Sequence, residues 1–358
     1  MKFILYDNLQ VAGGAERVTL ACARGFPDAQ IVVSRVYPEV MPLLAAEAPP
    51  IRQLGDGSTR MLSRIPESIY CFKHRCSFLR DAEAVYYSGF YAPLAVRAQQ
   101  HGKRIYYCHT VPRFAFDQHA AYRAKMPFAL RWPFDLFTAW LRREFAAALR
   151  DMDVIVANSE NVRSRLRKYL DLDAVVVNPP IDVDRFAWQS DGDYYISLAR
   201  LMPLKRVDVI VQAFLRMPSR RLVVASGGPE LGRLREIAGS APNIAFTDWQ
   251  SEEGIRRWLG NARAAVYVPV DEDFGMSPVE AMAAGKPVIG VAEGGLTETL
   301  IPGETGVLID GELTVEKMLA AVEELESRNP ASLRSACTRR AQAFSEQVFL
   351  TKMRALTG

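Results

Sequence analysis

Short apolar stretches that predict β-strands alternate with amphipathic stretches that predict helices along almost the whole chain, and this alternation constrains the fold most strongly. Phe3–Tyr6, Arg104–Cys108 and Leu222–Ala225 are three of these strands, and each ends in a loop. Strands joined through helices form parallel sheets, so the chain is predicted to be an α/β protein. Its 358 residues exceed a typical single domain, and its 49% hydrophobic content is enough for two buried cores.

A proline-stiffened connector at residues 178–185 and a polar run at residues 189–193 separate two halves of the chain. We therefore expect a first domain over residues 1–185 and a second domain over residues 186–343. The last stretch, residues 344–358, has the spacing of an amphipathic helix.

The stretch Asp271–Gly285 carries the strongest chemical signal. It follows a short buried strand predicted at Val266–Val268, and it places Glu272 on the loop at the carboxyl end of that strand. Glu280 falls in the first turn of the next predicted helix, for which Pro278 suits the first position. The free amides of such a helix start favour a phosphate group.

Two acids beside an anion site are costly unless the ligand also offers hydroxyl groups, and a sugar nucleotide offers both. The pair Glu272 and Glu280 therefore predicts a site that holds sugar hydroxyls next to a diphosphate. The alternative is one solvated loop acid and one acid at a helix start, each of which is common. The residues of this stretch predicted to line the site are Phe274, Gly275, Met276, Ser277 and Glu280.

Two other predicted strands end in residues that suit the same ligand. Arg200 and Lys205 leave the strand Tyr194–Ala199, and a guanidinium and an ammonium five residues apart on a turn can converge on one diphosphate. The strand Leu222–Ala225 ends in a Ser-Gly-Gly-Pro turn, where Gly228 lets the backbone approach a ligand closely. Ligands bind at this edge of open parallel sheets, so three successive strand ends indicate one site.

These motifs resemble those of the large retaining glycosyltransferase family four, whose members have two Rossmann-like domains facing across a cleft, the GT-B architecture. The resemblance covers nearly the whole chain and is strongest over residues 190–310. The matching motifs are Glu-x7-Glu at Glu272 and Glu280, Arg-x4-Lys at Arg200 and Lys205, a Gly-Gly-x-x-Glu loop at Gly294–Glu298, and a Gly-x-x-Gly turn at Gly303–Gly306.

The resemblance implies an enzyme that transfers a hexosyl group from a nucleoside diphosphate sugar to a hydroxyl of a saccharide or lipid-linked saccharide, with retention of configuration. It implies a role in surface polysaccharide synthesis, such as that of lipopolysaccharide. The sequence shows no acidic metal triad, so we expect a transfer that needs no metal and no other cofactor. Arg200 and Lys205 would stabilise the leaving group, while Glu272 would hold the sugar hydroxyls and Glu280 the ribose. Residues 344–358 would cross back onto the first domain.

The identity of the donor is less constrained. Pro179 and Pro180 replace an Asn-Gly that often follows this strand in the family, and mannosyl- and deoxyhexosyl-transferring relatives share this replacement. This favours GDP-mannose or a related GDP-sugar over a UDP-sugar. The family recognises the base mostly through backbone, here expected around Asp248 and Trp249.

The first half carries two weaker signals. By resemblance, Gly13 and Gly14 let the loop after the first strand meet the donor phosphates, although an ordinary tight turn explains two glycines equally well. His109 ends the strand Arg104–Cys108 and matches a histidine that lines the donor sugar in relatives. The alternative is a structural histidine with satisfied hydrogen bonds.

Three other functions fit part of this pattern. A sugar-nucleotide 2-epimerase shares the fold, but it needs an acid and a base placed for proton abstraction and uses no acceptor. A dinucleotide-dependent oxidoreductase needs Gly-x-Gly-x-x-Gly after the first strand, which this chain lacks. An inactive binding subunit would not need the four charged motif residues.

The charge is asymmetric. Residues 1–180 hold 24 basic against 17 acidic side chains, whereas the remainder holds 20 against 24. Basic residues mixed with large aromatics suit an anionic membrane surface, and a core-facing apolar stripe with a solvated basic face is the equally weighted alternative. No motif supports nucleic-acid binding. The basic residues form two groups, Arg60, Arg64, Lys73, Arg75 and Arg80, then Arg123, Lys125, Arg131, Arg142, Arg143 and Arg150, the second interleaved with Trp132, Phe134, Phe137, Trp140, Leu141 and Phe145.

Five cysteines are odd in number and lack metal-type spacing, which suggests a reducing compartment. No apolar run reaches about 18 residues, the length needed to span a bilayer. The opening Met1–Asp7 is too short for the apolar core of a signal peptide and predicts the first strand. We therefore expect a cytoplasmic protein, with peripheral attachment to the inner face of the membrane as the second option.

Overall fold

The computed structural model describes residues 1–10, 13–40, 50–55 and 61–356. The chain folds into two compact units, residues 1–178 with 349–358, and residues 179–348. Arg60 of the first basic group, and the last two residues of the predicted C-terminal helix, lie outside the described residues. Among the helices of the described part, none combines the length and the apolar character needed to cross a membrane.

The described part of the first unit contains one parallel sheet of seven strands. The strands are β1 Lys2–Tyr6, β2 Ala29–Val33, β3 Ile51–Gln53, β4 Ala84–Ser88, β5 Lys103–Cys108, β6 Val154–Ala157 and β7 Val175–Val176. Their order is β3-β2-β1-β4-β5-β6-β7. The helices are α1 Gly14–Gly25, α2 Met61–His74, α3 His119–Ala124, α4 Phe128–Arg150 and α5 Glu160–Leu170, with 3₁₀ turns at Pro38–Val40, Ser77–Leu79 and Ala92–Ala98.

Both faces of this sheet are buried, because side chains of a strand alternate between its two faces. Phe3 and Leu5 of β1 pack in the hydrophobic cluster on one face, and Ile4 packs in the cluster on the other. The second cluster also contains Phe349 and Met353 from the C-terminal helix. The end of the chain is therefore part of the first core.

The second unit contains one parallel sheet of six strands in the described structure. The strands are β8 Tyr194–Ser197, β9 Arg221–Val224, β10 Ile244–Phe246, β11 Ala264–Val266, β12 Val288–Val291 and β13 Gly306–Ile309. The helices are α6 Val207–Leu215, α7 Leu231–Ala238, α8 Glu252–Gly260, α9 Met276–Ala283, α10 Leu296–Thr299, α11 Val315–Ser327 and α12 Arg334–Gln342, with 3₁₀ turns at Val183–Arg185, Pro203–Lys205 and Pro330–Leu333. The last helix, α13 Glu346–Ala355, starts in this unit and ends in the first.

The strand order of the second sheet, β10-β9-β8-β11-β12-β13, reverses its direction of addition between β8 and β11. The chain adds β9 and β10 on one side of β8, and then β11 to β13 on the other side. Loops diverge where the direction of addition reverses, so the crevice outside the carboxyl ends of β8 and β11 is the expected site in such a sheet. The loops after these two strands carry the Arg-x4-Lys and Glu-x7-Glu motifs.

The structure shifts several expected boundaries. The first unit ends at Asn178 rather than residue 185, because Ile181 already packs in the second core and pairs with Ser345. The chain re-enters the first unit at Phe349 rather than residue 344, because Phe344 still packs in the second core.

Two predicted element ends in the second unit also move. β11 ends at Val266, two residues earlier than expected, which places Tyr267 in the loop at the strand end. Helix α9 begins at Met276 with Gly275 as its N-cap, so Pro278 is its third residue and Glu280 lies beyond its first turn. Gly275 has φ +92°, a conformation that glycine adopts without strain and that turns the chain into the helix.

Candidate functional site

A cation, a phenol and a carboxylate meet at the carboxyl ends of β8 and β11. The Lys205 ammonium donates hydrogen bonds to Glu272 Oε2 at 2.6 Å and to Tyr267 Oη at 2.9 Å. Lys205 and Glu272 are both mostly buried, with 23% and 21% of their side chains exposed. Their ion pair is therefore only partly screened by water.

Tyr267 lies at the centre of a group of acids. Burial raises the pKa of Tyr267 well above its ordinary value of 10, and the charges of Glu272, Glu280 and Asp273 raise it further. The phenol oxygen accepts the hydrogen bond from Lys205, which also pairs with Glu272. The structure thus brings the predicted residues Lys205, Glu272 and Glu280 together around a tyrosine that sequence analysis had assigned only to a buried strand.

Arg200 is placed differently from Lys205. Its side chain is exposed, and it forms no hydrogen bond or ion pair with any residue that the structure describes. Lys205 uses two of its three N–H donors within the protein, which leaves one for a ligand oxygen. Cationic donors are therefore available at this edge of the sheet from both ends of the Arg-x4-Lys motif.

Arg206, which sequence analysis did not identify, fixes the loop after β11. Its guanidinium donates to the carbonyls of Val268 and Pro269 at 2.7 Å each, and it forms an ion pair with Glu293 at 3.0 Å. Glu293 in turn accepts a bond from the Asp271 amide at 3.3 Å. These bonds hold the start of the Glu-x7-Glu segment against the loop after β8. In the sequence, the only indication of this role was that Arg206 is one more arginine beside Lys205.

The Gly-Gly-x-x-Glu loop packs directly on the backbone of the Glu-x7-Glu segment. The Gly295 amide donates to the Glu272 carbonyl at 2.8 Å. A Cβ on Gly294, whose φ is +55°, would lie 2.4 Å from the same carbonyl oxygen, and a Cβ on Gly295 would lie 2.4 Å from Phe274 Cα. Only glycine permits this approach. The two motifs are therefore one structural unit.

Helix α9 presents a start without a side-chain cap. No described side chain bonds to the amides after its N-cap, Gly275. Met276 and Ser277 are half-buried, and Phe274 is buried against Phe344 with ring centroids 5.3 Å apart. The amides at this helix start and the helix dipole together suit an anion.

The loop after β9 contacts the loop that carries Arg200. The Leu201 amide donates to the Gly227 carbonyl at 3.0 Å, and Gly228, with φ +154°, has space for no Cβ because Leu201 O would lie 2.4 Å away. Trp249 lies over Gly227 and leaves 65% of its surface exposed. Asp248 pairs with Arg235 at 3.0 Å on the exposed surface. Trp249 is therefore an open flat surface, whereas the Asp248 carboxylate is engaged.

His109 belongs to the first unit and follows β5. Its ring packs edge-on against Tyr107, with centroids 5.1 Å apart, and Nε2 is buried without a hydrogen-bond partner among the described residues. Burial lowers the pKa of His109 from 6.5 to about 4. The imidazole is therefore neutral at physiological pH. Its unpartnered nitrogen does not match the structural alternative, in which the hydrogen bonds of the histidine are satisfied.

Gly13 and Gly14 start helix α1 in the first unit. Gly13 is the N-cap and no side chain in the described structure caps the helix, so its first amides resemble those of α9. Glu16 in the first turn is buried, and Tyr6 hydrogen-bonds to it. The negative charge of Glu16 already offsets part of the positive charge at the start of α1, so the start of α1 is a weaker anion site than the start of α9.

Two units of this kind, each a parallel sheet with its helices, are the components of the GT-B fold, and solved structures match almost the whole chain. The crystal structure of Anabaena HepE in complex with UDP and glucose has a TM-score of 0.79 and 16% identity, over 99% of this chain and 98% of that chain. Sucrose-phosphate synthase from Thermosynechococcus elongatus has a TM-score of 0.78 and 17% identity, over 99% and 98%. At these identities the likeness is one of fold, and it confirms the predicted fold class.

Family models specify the class further. The model for Glycosyltransferase Family 4 matches residues 12–185, and the model for Glycosyl transferases group 1 matches residues 180–344. The chain belongs to the group 1 glycosyltransferases of family 4.

Curated relatives match part of the chain. D-inositol 3-phosphate glycosyltransferase of Mycobacterium sp. strain JLS is 32% identical over 194 residues, which cover 48% of this chain and 43% of the relative. The protein of the same name from Mycolicibacterium smegmatis is 30% identical over 191 residues, or 48% and 44%. The matched part spans less than half the length of these relatives.

Proposed function

We propose that the protein transfers a hexosyl group from a nucleoside diphosphate sugar to a hydroxyl acceptor, with retention of anomeric configuration. The observation that carries this proposal is the cluster of Lys205, Tyr267 and Glu272 at the point where the strand order of the second sheet reverses. It combines a cation for a diphosphate with carboxylates for hydroxyl groups. A ligand that is only an anion, or only a neutral sugar, would use only half of this cluster.

The diphosphate is proposed to bind between Arg200, Lys205 and the start of helix α9. Arg200 has no partner in the described structure, so it can bind a phosphate without breaking a bond that holds the fold. Lys205 keeps its bonds to Glu272 and Tyr267 and offers its third donor. Glu272 has a second carboxylate oxygen and accepts bonds from sugar hydroxyls, which are neutral donors that offset the local negative charge.

The chemical step is the exchange of one C–O bond for another. The bond from the anomeric carbon to the diphosphate breaks, a bond to the acceptor oxygen forms, and the acceptor proton passes to the departing diphosphate. Negative charge grows on the leaving group, and the preorganised donors stabilise it more strongly in the transition state than in the ground state. In this proposal Arg200, Lys205 and the α9 amides supply the charge that a metal ion would otherwise supply. The transfer is therefore proposed to need no metal and no other cofactor.

The remaining predicted site residues keep the roles that the family resemblance implies for them. Glu280 is proposed to hold the ribose, Trp249 to stack on the base, and His109 to contact the sugar as a neutral imidazole. A neutral histidine can accept or donate one hydrogen bond without adding charge near the anomeric carbon.

The donor base has two candidates. The Pro179-Pro180 pair after β7 favours GDP-mannose or a related GDP-sugar. UDP is the second candidate, because HepE structures of the same fold contain UDP or UDP-glucose. For the acceptor we propose a saccharide or lipid-linked saccharide of a surface polysaccharide, used on the cytoplasmic side of the membrane.

A thermal-shift panel with GDP, UDP and ADP tests the diphosphate site. One nucleotide should raise the melting temperature of the wild type, and Arg200→Ala should lose that protection. Because Arg200 is exposed, the variant without ligand should stay within about 0.5 kcal/mol of wild-type stability. Arg339→Ala is the matched control, since Arg339 is another exposed arginine of the second unit with no described partner. Full protection of Arg200→Ala by the same nucleotide would refute the proposed diphosphate site.

Product analysis separates transfer from its alternatives. A glycosyltransferase slowly hydrolyses its donor and releases free nucleotide, an epimerase converts the sugar without releasing nucleotide, and a binding subunit does neither. Nucleotide release by wild type, lost in Lys205→Met, supports transfer.

A further inference from the structure

Helix α4 has fully buried residues only from Thr138 onwards, although Phe137 is partly buried against the core of the first unit. Its buried residues are Thr138, Leu141, Phe145, Ala148 and Leu149. The ten residues before Thr138 include no buried residue in the described structure, and at 1.5 Å per residue they form about 15 Å of helix. The core-facing alternative from the sequence therefore holds for the second half of α4 and does not hold for the first.

The uncovered half exposes large apolar side chains. Phe128 is 87% exposed, Trp132 70% and Leu136 51%. These residues are four positions apart, so they form one stripe along the helix. Leu130, at 52%, and Tyr122 of α3, at 45%, add to the exposed apolar surface.

Contacts with α3 hold this half helical without covering the stripe. His119 stacks on Phe134 with ring centroids 5.2 Å apart, and Arg123 pairs with Asp135 at 2.8 Å. Phe134 lies two positions from both Trp132 and Leu136 and therefore on another face of the helix, whereas Asp135, three positions from Trp132, borders the stripe. The apolar side chains are thus held by ordered structure and face solvent.

The charge around the stripe is positive. Residues 119–137, called here the exposed segment, contain three arginine or lysine side chains, Arg123, Lys125 and Arg131, and one acid, Asp135. Asp135 is already paired with Arg123. Lys125 is exposed, and Arg143, just beyond the exposed segment, is 76% exposed and pairs with Glu144 at 3.6 Å. The surface next to the apolar stripe is therefore attractive to anions.

We propose that the exposed segment docks onto the surface of a bilayer that contains anionic lipid. Phe128, Trp132 and Leu136 would enter the headgroup region, where aromatic and aliphatic side chains are favoured, and the basic side chains would contact lipid phosphates. Charge complementarity selects this partner over a second copy of the chain, since two copies would bring like charges together. This inference is independent of the glycosyl transfer proposed above.

Co-sedimentation of the full chain with vesicles tests this proposal. Vesicles of phosphatidylcholine alone are compared with vesicles of equal parts phosphatidylcholine and phosphatidylglycerol. We expect sedimentation with the anionic vesicles, little with the neutral ones, and a loss of binding as salt is raised.

Two variants separate the apolar and the charged contributions. Phe128→Ser/Trp132→Ser should weaken binding to anionic vesicles by about tenfold or more, because the apolar area that inserts is lost. Lys125→Gln/Arg143→Gln should weaken it by about tenfold and reduce its dependence on salt. Val175→Ser is the matched control, because Val175 is another exposed apolar residue of the first unit, at 49%, outside the exposed segment.

The unfolding temperature of each variant is measured in parallel and should match the wild type, since all the changed side chains are exposed. Equal binding to neutral and anionic vesicles would overturn the proposal, and so would wild-type binding by the Phe128→Ser/Trp132→Ser variant. A wild-type dimer in light scattering that this variant abolishes, with no vesicle binding by either protein, would assign the surface to a second copy and also overturn it.

Discussion

Replacement of Tyr267 by phenylalanine tests whether the geometry around Lys205 and Glu272 is set by this buried phenol. The change removes one hydroxyl and leaves the ring, the ion pair and the backbone in place. Lys205 loses the acceptor that lies 2.9 Å from its nitrogen. The ion pair at 2.6 Å remains but can adopt other arrangements.

The size of the effect follows from the loss of this bond. A hydrogen bond to a charged group contributes about 1.5–3 kcal/mol, and the surviving ion pair recovers part of the loss, so we expect the second unit to lose about 2 kcal/mol of unfolding free energy. For a unit of this size the loss corresponds to a fall of roughly 4–8 °C in melting temperature. We expect kcat to fall by about tenfold to a hundredfold, because small misplacements of groups that hold the substrate are costly, while KM for the donor changes only a few-fold.

Thermal unfolding and steady-state kinetics with the donor identified by the nucleotide panel measure these effects. Tyr195→Phe is the matched control, since the Tyr195 hydroxyl donates to Glu326 at 2.6 Å and Glu326 pairs with Arg263. This control removes a similar bond from a similar ion pair that contains none of the proposed site residues. It should cost similar stability and leave kcat unchanged.

Two results would contradict the reasoning. Equal kcat in Tyr267→Phe and wild type would show that the phenol does not position the site. An equal fall of kcat in Tyr195→Phe would show that lost stability, rather than lost positioning, lowers the rate.

Two further predictions concern backbone approach and pH. Gly294→Ala should lower the free energy of unfolding by about 1–3 kcal/mol and lower kcat, because its Cβ would displace the carbonyl of Glu272. Gly311→Ala is the control at φ +68°, where the Cβ meets only the end of a lysine side chain at 3.2 Å. In this control, thermal unfolding can change while kcat does not. Burial lowers the pKa of His109 from 6.5 to about 4, so between these values the unfolded chain binds a proton that the native chain does not. The stabilising contribution of the neutral, buried His109 is therefore present above pH 6.5 and is lost as pH falls towards 4. The free energy of unfolding of His109→Gln should decline less steeply in acid than that of the wild type.

Sequence patterns predicted the fold because they report local burial. Strands buried on both faces are apolar throughout, and the loops after β8, β9 and β11 could be placed at one edge of a sheet before their contacts were known. The boundaries were less accurate, because residues such as Ile181 and Phe344 are apolar whichever core they join.

The sequence predicted part of the cluster at the ends of β8 and β11. Lys205, Glu272 and Glu280 were identified from spacing, and the structure brings them together. Tyr267 and Arg206 were missed, because a tyrosine after a strand and an arginine beside a lysine are common in any sequence. Their roles depend on partners from other loops, which spacing does not report.

The sequence by itself determined that this chain forms two α/β units and that its charged motifs follow neighbouring strand ends, because strand and helix periodicity are properties of local residues. Only the tertiary structure decided that Lys205 pairs with Glu272, 67 residues away, while Arg200 remains exposed. It also decided that the first half of α4 faces solvent, although both halves carry apolar residues. Both outcomes depend on which elements lie next to each other, and only the folded chain defines those neighbours.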